Sequence, residues 1–370
     1  GAIVVATAPP VFAQPGQDTL LSGQVGAFYR SNGHGRGANV SATVANENLS
    51  LRYTGASARA DNYEAAADFK TGLVPTATVR VPGSREVGSS QYQSNNQSID
   101  LAWRNGNHVL QAKVGNQVIP FQGFPNQRMD MTRNASEHGI LRYDGQFDWG
   151  KLQARAYSEH TRHTMNFLEN KLRDATSKGM PMDTEGTTVG GALVAEWVLG
   201  ADLALRAGAE WQRYRLDDWW SPVSTTPGMM APNVFWNIRN GQRDRADVYA
   251  EWDARWSAQW TTQLGLRTGT VTMNSGLVQG YNNMSNMMGY GDPASPTSQP
   301  GAFNAADRAR TDQNWDLSAS MRWVPDATAS YSMGVARKTR SPNLYERYTW
   351  SSANNMVMNM INWFGDANGF

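Results

Sequence analysis

The stretch Trp315-Asp316-Leu317-Ser318-Ala319-Ser320-Met321-Arg322-Trp323 decides the fold. Trp315, Leu317, Ala319, Met321 and Trp323 point one way and Asp316, Ser318, Ser320 and Arg322 the other, because successive side chains on a β-strand face opposite sides of the sheet. Residues 247–256 repeat the pattern, with Val248, Ala250, Trp252, Ala254 and Trp256 opposite Asp247, Tyr249, Glu251, Asp253 and Arg255. One face must meet lipid and the other water or protein, which is the pattern of a transmembrane antiparallel β-barrel. A soluble sandwich also alternates, but its strands recur at fairly even spacing. Here the spacing is lopsided.

Outward from this stretch, alternation predicts thirteen strands, near 19–30, 37–45, 49–60, 95–104, 108–117, 137–148, 151–160, 189–199, 202–214, 245–256, 260–273, 313–324 and 327–338. Short turns rich in Asn, Gly and Asp, such as Asn46-Glu47-Asn48, Asn105-Gly106-Asn107 and Pro325-Asp326, suit tight hairpins. They alternate with long polar loops over roughly 61–94, 118–136, 161–188, 215–244, 274–312 and 339 onward. Short turns face the periplasm and long loops the outside in an outer-membrane barrel, which sets the expected orientation and the outer-membrane location. Trp103, Trp149, Trp197, Trp256, Trp260 and Trp323 all lie near short turns, where an interfacial aromatic girdle belongs. The chain of 370 residues ends inside a loop after an odd number of strands, and we read it as a barrel truncated at its C-terminus.

Composition agrees. Hydrophobic residues make up 40% and mean hydropathy is −0.55, too polar for helical membrane spans. Cysteine is absent, which fits an oxidising compartment weakly. A net charge of +1 argues against a nucleic-acid binder. With no P-loop, dinucleotide fingerprint or nucleophile-base constellation in the chain, we expect no enzyme. Glu196, Glu210, Glu251 and Asp253 are expected to pair with Arg206, Arg213, Arg255 and Arg267 on the hydrated inner face.

The loops carry the metal chemistry. Thirteen of the 16 methionines fall outside the predicted strands: Met129, Met131, Met165, Met180, Met182, Met229, Met230, Met284, Met287, Met288, Met356, Met358 and Met360. Thioethers are soft ligands that select Cu(I) over hard cations, although methionine also fills irregular gaps beneath packed loops. His163 and Met165, two apart at the start of a long loop, could reach one ion if the backbone there is extended. They are the main candidate ligands, with the clusters Met284, Met287, Met288 and Met356, Met358, Met360 as a second set. His160 is near enough in sequence to be an alternate ligand, while His34, His108 and His138 are isolated.

The segment RKTRSPNLYERY at 337–348 resembles a signature of the barrels of TonB-dependent outer-membrane receptors. FPNQRMDMT at 124–132 and GMPMDTEG at 179–186 are similar to the copper-transporting branch of that family. The resemblance implies a plugged barrel of about 22 strands, of which about 13 are present here. Residues 1–14, including a short strand over 2–8, would be the end of the plug domain and 15–370 the barrel. It implies copper, or a copper complex, as transported ligand, outer-membrane lipid around the wall, and coupling to the TonB-ExbB-ExbD complex through a region N-terminal to this chain. It also implies that a His-x-Met such as His163 and Met165 completes a site whose remaining Cys and Met come from the plug. The alternatives are a receptor for a metal chelate or siderophore, for which Trp219, Trp220, Trp236 and Arg239 would be suited, and a passive porin-like barrel.

Overall fold

A computed structural model of the chain describes residues 9–68, 85–127, 129–171, 178–285 and 290–351. The expected plug strand at 2–8 lies outside the described residues. The strands are β1 (Leu20–Arg30), β2 (Gly35–Ala45), β3 (Leu49–Ala60), β4 (Tyr92–Asn105), β5 (His108–Gln122), β6 (Asp130–Phe147), β7 (Gly150–Asn166), β8 (Met182–Gly200), β9 (Leu203–Trp220), β10 (Phe235–Arg255), β11 (Trp260–Asn274), β12 (Arg310–Asp326) and β13 (Ala329–Arg337). All thirteen pair antiparallel with their sequence neighbours in one sheet. Two short helices, α1 (Gln299–Ala305) and α2 (Leu344–Tyr348), sit in the long connections.

Several of the short turns are closed by their own side chains. The Asn46 side-chain oxygen accepts from the Asn48 and Leu49 amides at 2.9 and 2.7 Å, and Asp326 does the same for Thr328 and Ala329 at 2.8 and 3.1 Å. Gly150 opens β7 at φ 143, where a Cβ would run into the Glu196 carbonyl, so this turn requires glycine.

The apolar face carries a belt that fixes the membrane-spanning part of each strand. On β9 it runs from Leu203 through Leu205, Ala207 and Ala209 to Trp211, and on β10 from Ala254 through Trp252, Ala250 and Val248 to Ala246. About 9–11 residues are what a tilted strand needs to cross the hydrocarbon. The expected girdle sits at the short-turn edge: Trp149 lies 5.7 Å from Trp197, and Trp260 stacks on Trp323 at 5.4 Å. On the polar face Arg206 bridges Glu196 and Glu251 at 2.9 and 3.1 Å, while Arg267 reaches Asp247 at 3.0 Å and Glu210 at 3.7 Å. Arg245 joins Glu210 to Asp247, 2.8 Å from each. Arg213 departs from expectation: its place in the alternation puts it on the other face just above the belt, 3.9 Å from Asp244. Among the described residues Asp253 and Arg255 take no part in this ladder.

Several strands run further toward the long loops than alternation predicts. β7 extends to Asn166, β8 begins at Met182, β9 ends at Trp220 and β10 begins at Phe235. Met131, Met165 and Met182, expected in loops, are therefore in strands. The reason is physical: above the belt neither face meets lipid, so the hydropathy pattern fades while the hydrogen-bonded ladder continues. On the polar face of these extensions two cores form. One, of Leu216, Ile238, Val271 and Met273, seats Leu344 and Tyr348 of α2. The other is described next.

Candidate metal-capture site

The period of two along β7 places His163 and Met165 on the polar face, with Tyr157, whose hydroxyl accepts from Gln212 at 3.2 Å. Strand register then lines up two adjacent rows. In the first, His163 stands opposite Asn134 of β6 and Thr184 of β8, and Thr184 stands opposite Asp218 of β9. In the second, Met165 stands opposite Met131 on β6 and Met182 on β8. Directly opposed Cβ atoms are about 4.5–5.5 Å apart and successive rows about 7 Å, so three thioethers and one imidazole are gathered within reach of one another.

His163 is set up as a neutral ligand. Its Nδ1 lies 3.3 Å from the Asn134 amide oxygen, which can only accept, so Nδ1 carries the proton and Nε2 keeps its lone pair. Burial lowers the imidazole pKa from its ordinary value, which favours the same uncharged form. His163 lies seven residues past Ala156, the last apolar residue of the belt on β7, and so outside the membrane-spanning part.

Above the methionine row the long loops close into an apolar roof. Met129, Met180 and Met182 are buried with Trp220, Phe235, Val278, Tyr281, Tyr290 and Trp350, and Met165 and Met230 pack against them. Phe235 is at the centre, with Trp220 at 5.4 Å, Tyr281 at 5.5 Å and Trp350 at 5.2 Å between ring centroids. Here methionine does fill core space, and two of these residues, Met165 and Met182, also belong to the row next to His163. A carboxylate anchors the roof from the side: Asp130, fully buried, accepts from Lys171 Nζ at 2.6 Å, the Phe124 amide at 2.9 Å, Ser89 Oγ at 3.0 Å and the Leu168 amide at 3.2 Å.

The other candidates fare differently. His160 is no alternate ligand, because three residues of strand turn it to the opposite face, where Nε2 meets Glu185 at 2.9 Å. The His160 contact and Arg162 hold the Glu185 pKa below its ordinary value. His34 lies 3.7 Å from Asp61, and His108 Nδ1 is 2.8 Å from the Tyr143 hydroxyl. Met284 is exposed on the loop between β11 and β12, apart from the row. Met287, Met288, Met356, Met358 and Met360 lie outside the described residues. Among the described residues no group of three or more His, Asp or Glu is placed to hold a metal ion. Of the aromatic residues suited to a chelate, Trp220 is spent in the roof, whereas Trp219 and Trp236 pair at 5.7 Å with the Arg239 guanidinium 5.1 Å over Trp236. Sequence reasoning missed Met131, Met182 and Asn134 as neighbours of His163. Register carries that signal, and it is invisible while 161–188 reads as loop.

A family model for the β-barrel of TonB-dependent receptor-like proteins matches residues 76–368, and the chain belongs to that family. The polar face is therefore the inner face of an outer-membrane barrel, and the apolar belt its lipid face. Among solved structures, the copper transporter OprC superposes with a TM-score of 0.69 at 18% identity, covering 90% of this chain and 49% of that one. The FrpB iron transporter from Neisseria meningitidis gives 0.59 at 17% identity, over 90% of this chain and 47% of that one. A mutant of the ferric enterobactin receptor from Pseudomonas aeruginosa, bound to enterobactin, gives 0.54 at 18% identity, over 90% and 46%. These likenesses concern the fold, and the chain spans about half the length of each structure. No curated protein sequence matches it.

Proposed function

We propose that this chain forms part of the barrel of an energy-coupled outer-membrane receptor that takes up copper, with His163 and the row Met131, Met165 and Met182 as the barrel's share of the capture site. The observation that carries the reading is the juxtaposition, on the inner face, of three thioethers and one imidazole poised as a neutral ligand. Such a donor set favours a soft ion, Cu(I) above all, over iron or the alkaline earths. The exposed Met284 would meet ions first and the largely half-buried row would retain them. Below the row, the Arg–Glu ladder lines the way through the wall. The structural likeness to the copper transporter OprC is in keeping with this cargo. Long loops outside, short turns in the periplasm and coupling to TonB-ExbB-ExbD complete the reading. A second reading, capture of a metal chelate, is favoured by the pair Trp219 and Trp236 under Arg239, an arrangement suited to a flat anionic ligand.

The test is elemental analysis of the full-length protein carrying His163→Ala with Met165→Ala. A sharp fall in copper content is expected, because each side chain supplies a donor from one extended segment. Wild-type copper content in the double variant would remove both residues from the site. Loss of ferric-chelate binding on Trp236→Ala, with copper unchanged, would favour the second reading.

A further inference from the structure

On the first strands the lipid face ends in a row of hydrogen-bond donors. The belt runs through Leu21, Gly23, Val25 and Ala27 on β1, Val44, Ala42, Val40 and Ala38 on β2, and Leu49, Leu51, Tyr53 and Gly55 on β3. Continuing the same alternation, Tyr29 follows on β1, Arg36 on β2 and, past Ser57, Arg59 on β3, while the outward face of β4 ends in Gln93. Arg59 follows Leu49 by ten positions, as Arg213 follows Leu203, so it stands just above the belt. Register sets the donors side by side: Tyr29 is opposite Arg36, Arg36 opposite Arg59, and Arg59 opposite Gln93. Like charges directly opposed across two strands, with Cβ atoms about 4.5–5.5 Å apart, are destabilising unless something neutralises them. Among the described residues neither arginine has an acid partner. Asp61, the next acid in sequence, lies 3.7 Å from His34, and the Arg59 guanidinium sits 5.9 Å over the Phe121 ring. Outward arginines on β7 and β9 are compensated: Arg162 meets Glu185 at 3.1 Å, and Arg215 and Arg213 meet Asp244 at 2.5 and 3.9 Å. Arg36 and Arg59 instead stand exposed, as an uncompensated pair.

We propose that this row binds the phosphorylated headgroup of a membrane lipid, with one phosphate held between Arg36 and Arg59. A guanidinium presents paired N–H donors that match phosphate oxygens, and a phosphate shared by two of them removes their repulsion. Tyr29 and Gln93 add a hydroxyl and an amide at the two ends of the row. The donors face outward directly above the hydrocarbon, where a lipid already brings its phosphate, rather than into the lumen that a soluble anion would enter. Beneath them the small residues Ala27, Ala38 and Gly55 leave the wall shallow, and Val25, Val40 and Tyr53 offer an acyl chain apolar surface. The identity of the leaflet rests on the orientation proposed above: with long loops outside, it is the outer one, and the ligand is a phosphorylated glycolipid.

The test is native mass spectrometry of the full-length protein in detergent, titrated with lipid A carrying two phosphates, which counts bound lipid directly. Arg36→Gln with Arg59→Gln should weaken binding about tenfold or more, since several charged hydrogen bonds are lost together. Arg162→Gln, which removes an outward charge already paired with Glu185, should leave binding unchanged. Dephosphorylated lipid A should bind the wild type as weakly as the diphosphorylated lipid binds the double variant, and excess inorganic phosphate should not displace the lipid. Should the double variant fail to fold, Arg59→Gln alone takes its place, with a loss in the same direction. Equal binding by wild type and variant, an equal loss in Arg162→Gln, or no preference for the phosphorylated lipid overturns the proposal. Displacement by inorganic phosphate also overturns it, in favour of a free-anion site. Copper enters none of these readouts, and labelling of the loops from outside the cell reads the orientation separately, so a failed cargo or an inverted topology is told apart from a failed lipid site.

Discussion

Replacing Asp130 by Ala should release the side of the roof. Its carboxylate is fully buried and fully partnered, joining the segments around Ser89, Phe124 and Leu168 to the Lys171 ammonium. Removing it leaves two backbone amides without their acceptor and a largely buried ammonium with no counter-charge, held only by the Phe124 carbonyl at 3.0 Å. Breaking a buried ion pair from one side costs about 3–5 kcal/mol. Because these segments lie beyond the lipid belt, the cost falls on local opening rather than on the barrel. About 3 kcal/mol corresponds to roughly a hundredfold faster exchange. Hydrogen exchange over 122–127 and 166–171 in the full-length protein measures this directly, with the strand β11 as internal control. Asp130→Asn keeps the volume and some acceptor capacity, so its effect should be smaller. Unchanged exchange in Asp130→Ala would refute the reasoning, since it would mean that the four contacts do not hold the roof.

Three further outcomes follow from the same geometry. Phe235→Ala removes the ring around which the roof packs and should cost about 3–5 kcal/mol of local stability, read as protease cleavage within the loops at lower denaturant while the barrel stays intact. Copper content of the full-length protein should be flat above the ordinary histidine value of 6.5 and fall only at lower pH, because burial lowers the His163 pKa and protons displace the metal late; loss beginning above neutrality in a titration would contradict this. Thiol reagents added outside intact cells should reach a cysteine introduced at Ser285 but not one at Asn107, and the reverse would invert the topology.

How much of this was legible in the sequence depends on where lipid enforces a pattern. The strand count, the order and the girdle of Trp149, Trp197, Trp260 and Trp323 could be read directly, because the hydrocarbon demands alternation and the interface favours tryptophan. The upper ends of β7, β8 and β9 could not, because Asp183, Arg213 and Asp217 face water there and obey no hydropathy rule. That hid the register, and with it the row of Met131, Met165 and Met182. That His163 and Met165 share a face was legible because a spacing of two gives this on any extended segment. His160 failed by the same rule, being three residues away and so on the opposite face. Arg213 was misassigned to the lumen for a related reason: alternation fixes its face, but a charge just above the belt needs no partner inside.

X-ray absorption at the copper edge of the copper-loaded full-length protein tests the central claim most directly, because it reads the donor atoms themselves. The row of Met131, Met165 and Met182 beside His163 predicts a first shell containing sulfur scatterers and one imidazole. The sulfur contribution should fall in Met165→Ala and the imidazole contribution in His163→Ala. A shell of nitrogen and oxygen only, unchanged in both variants, would contradict the account.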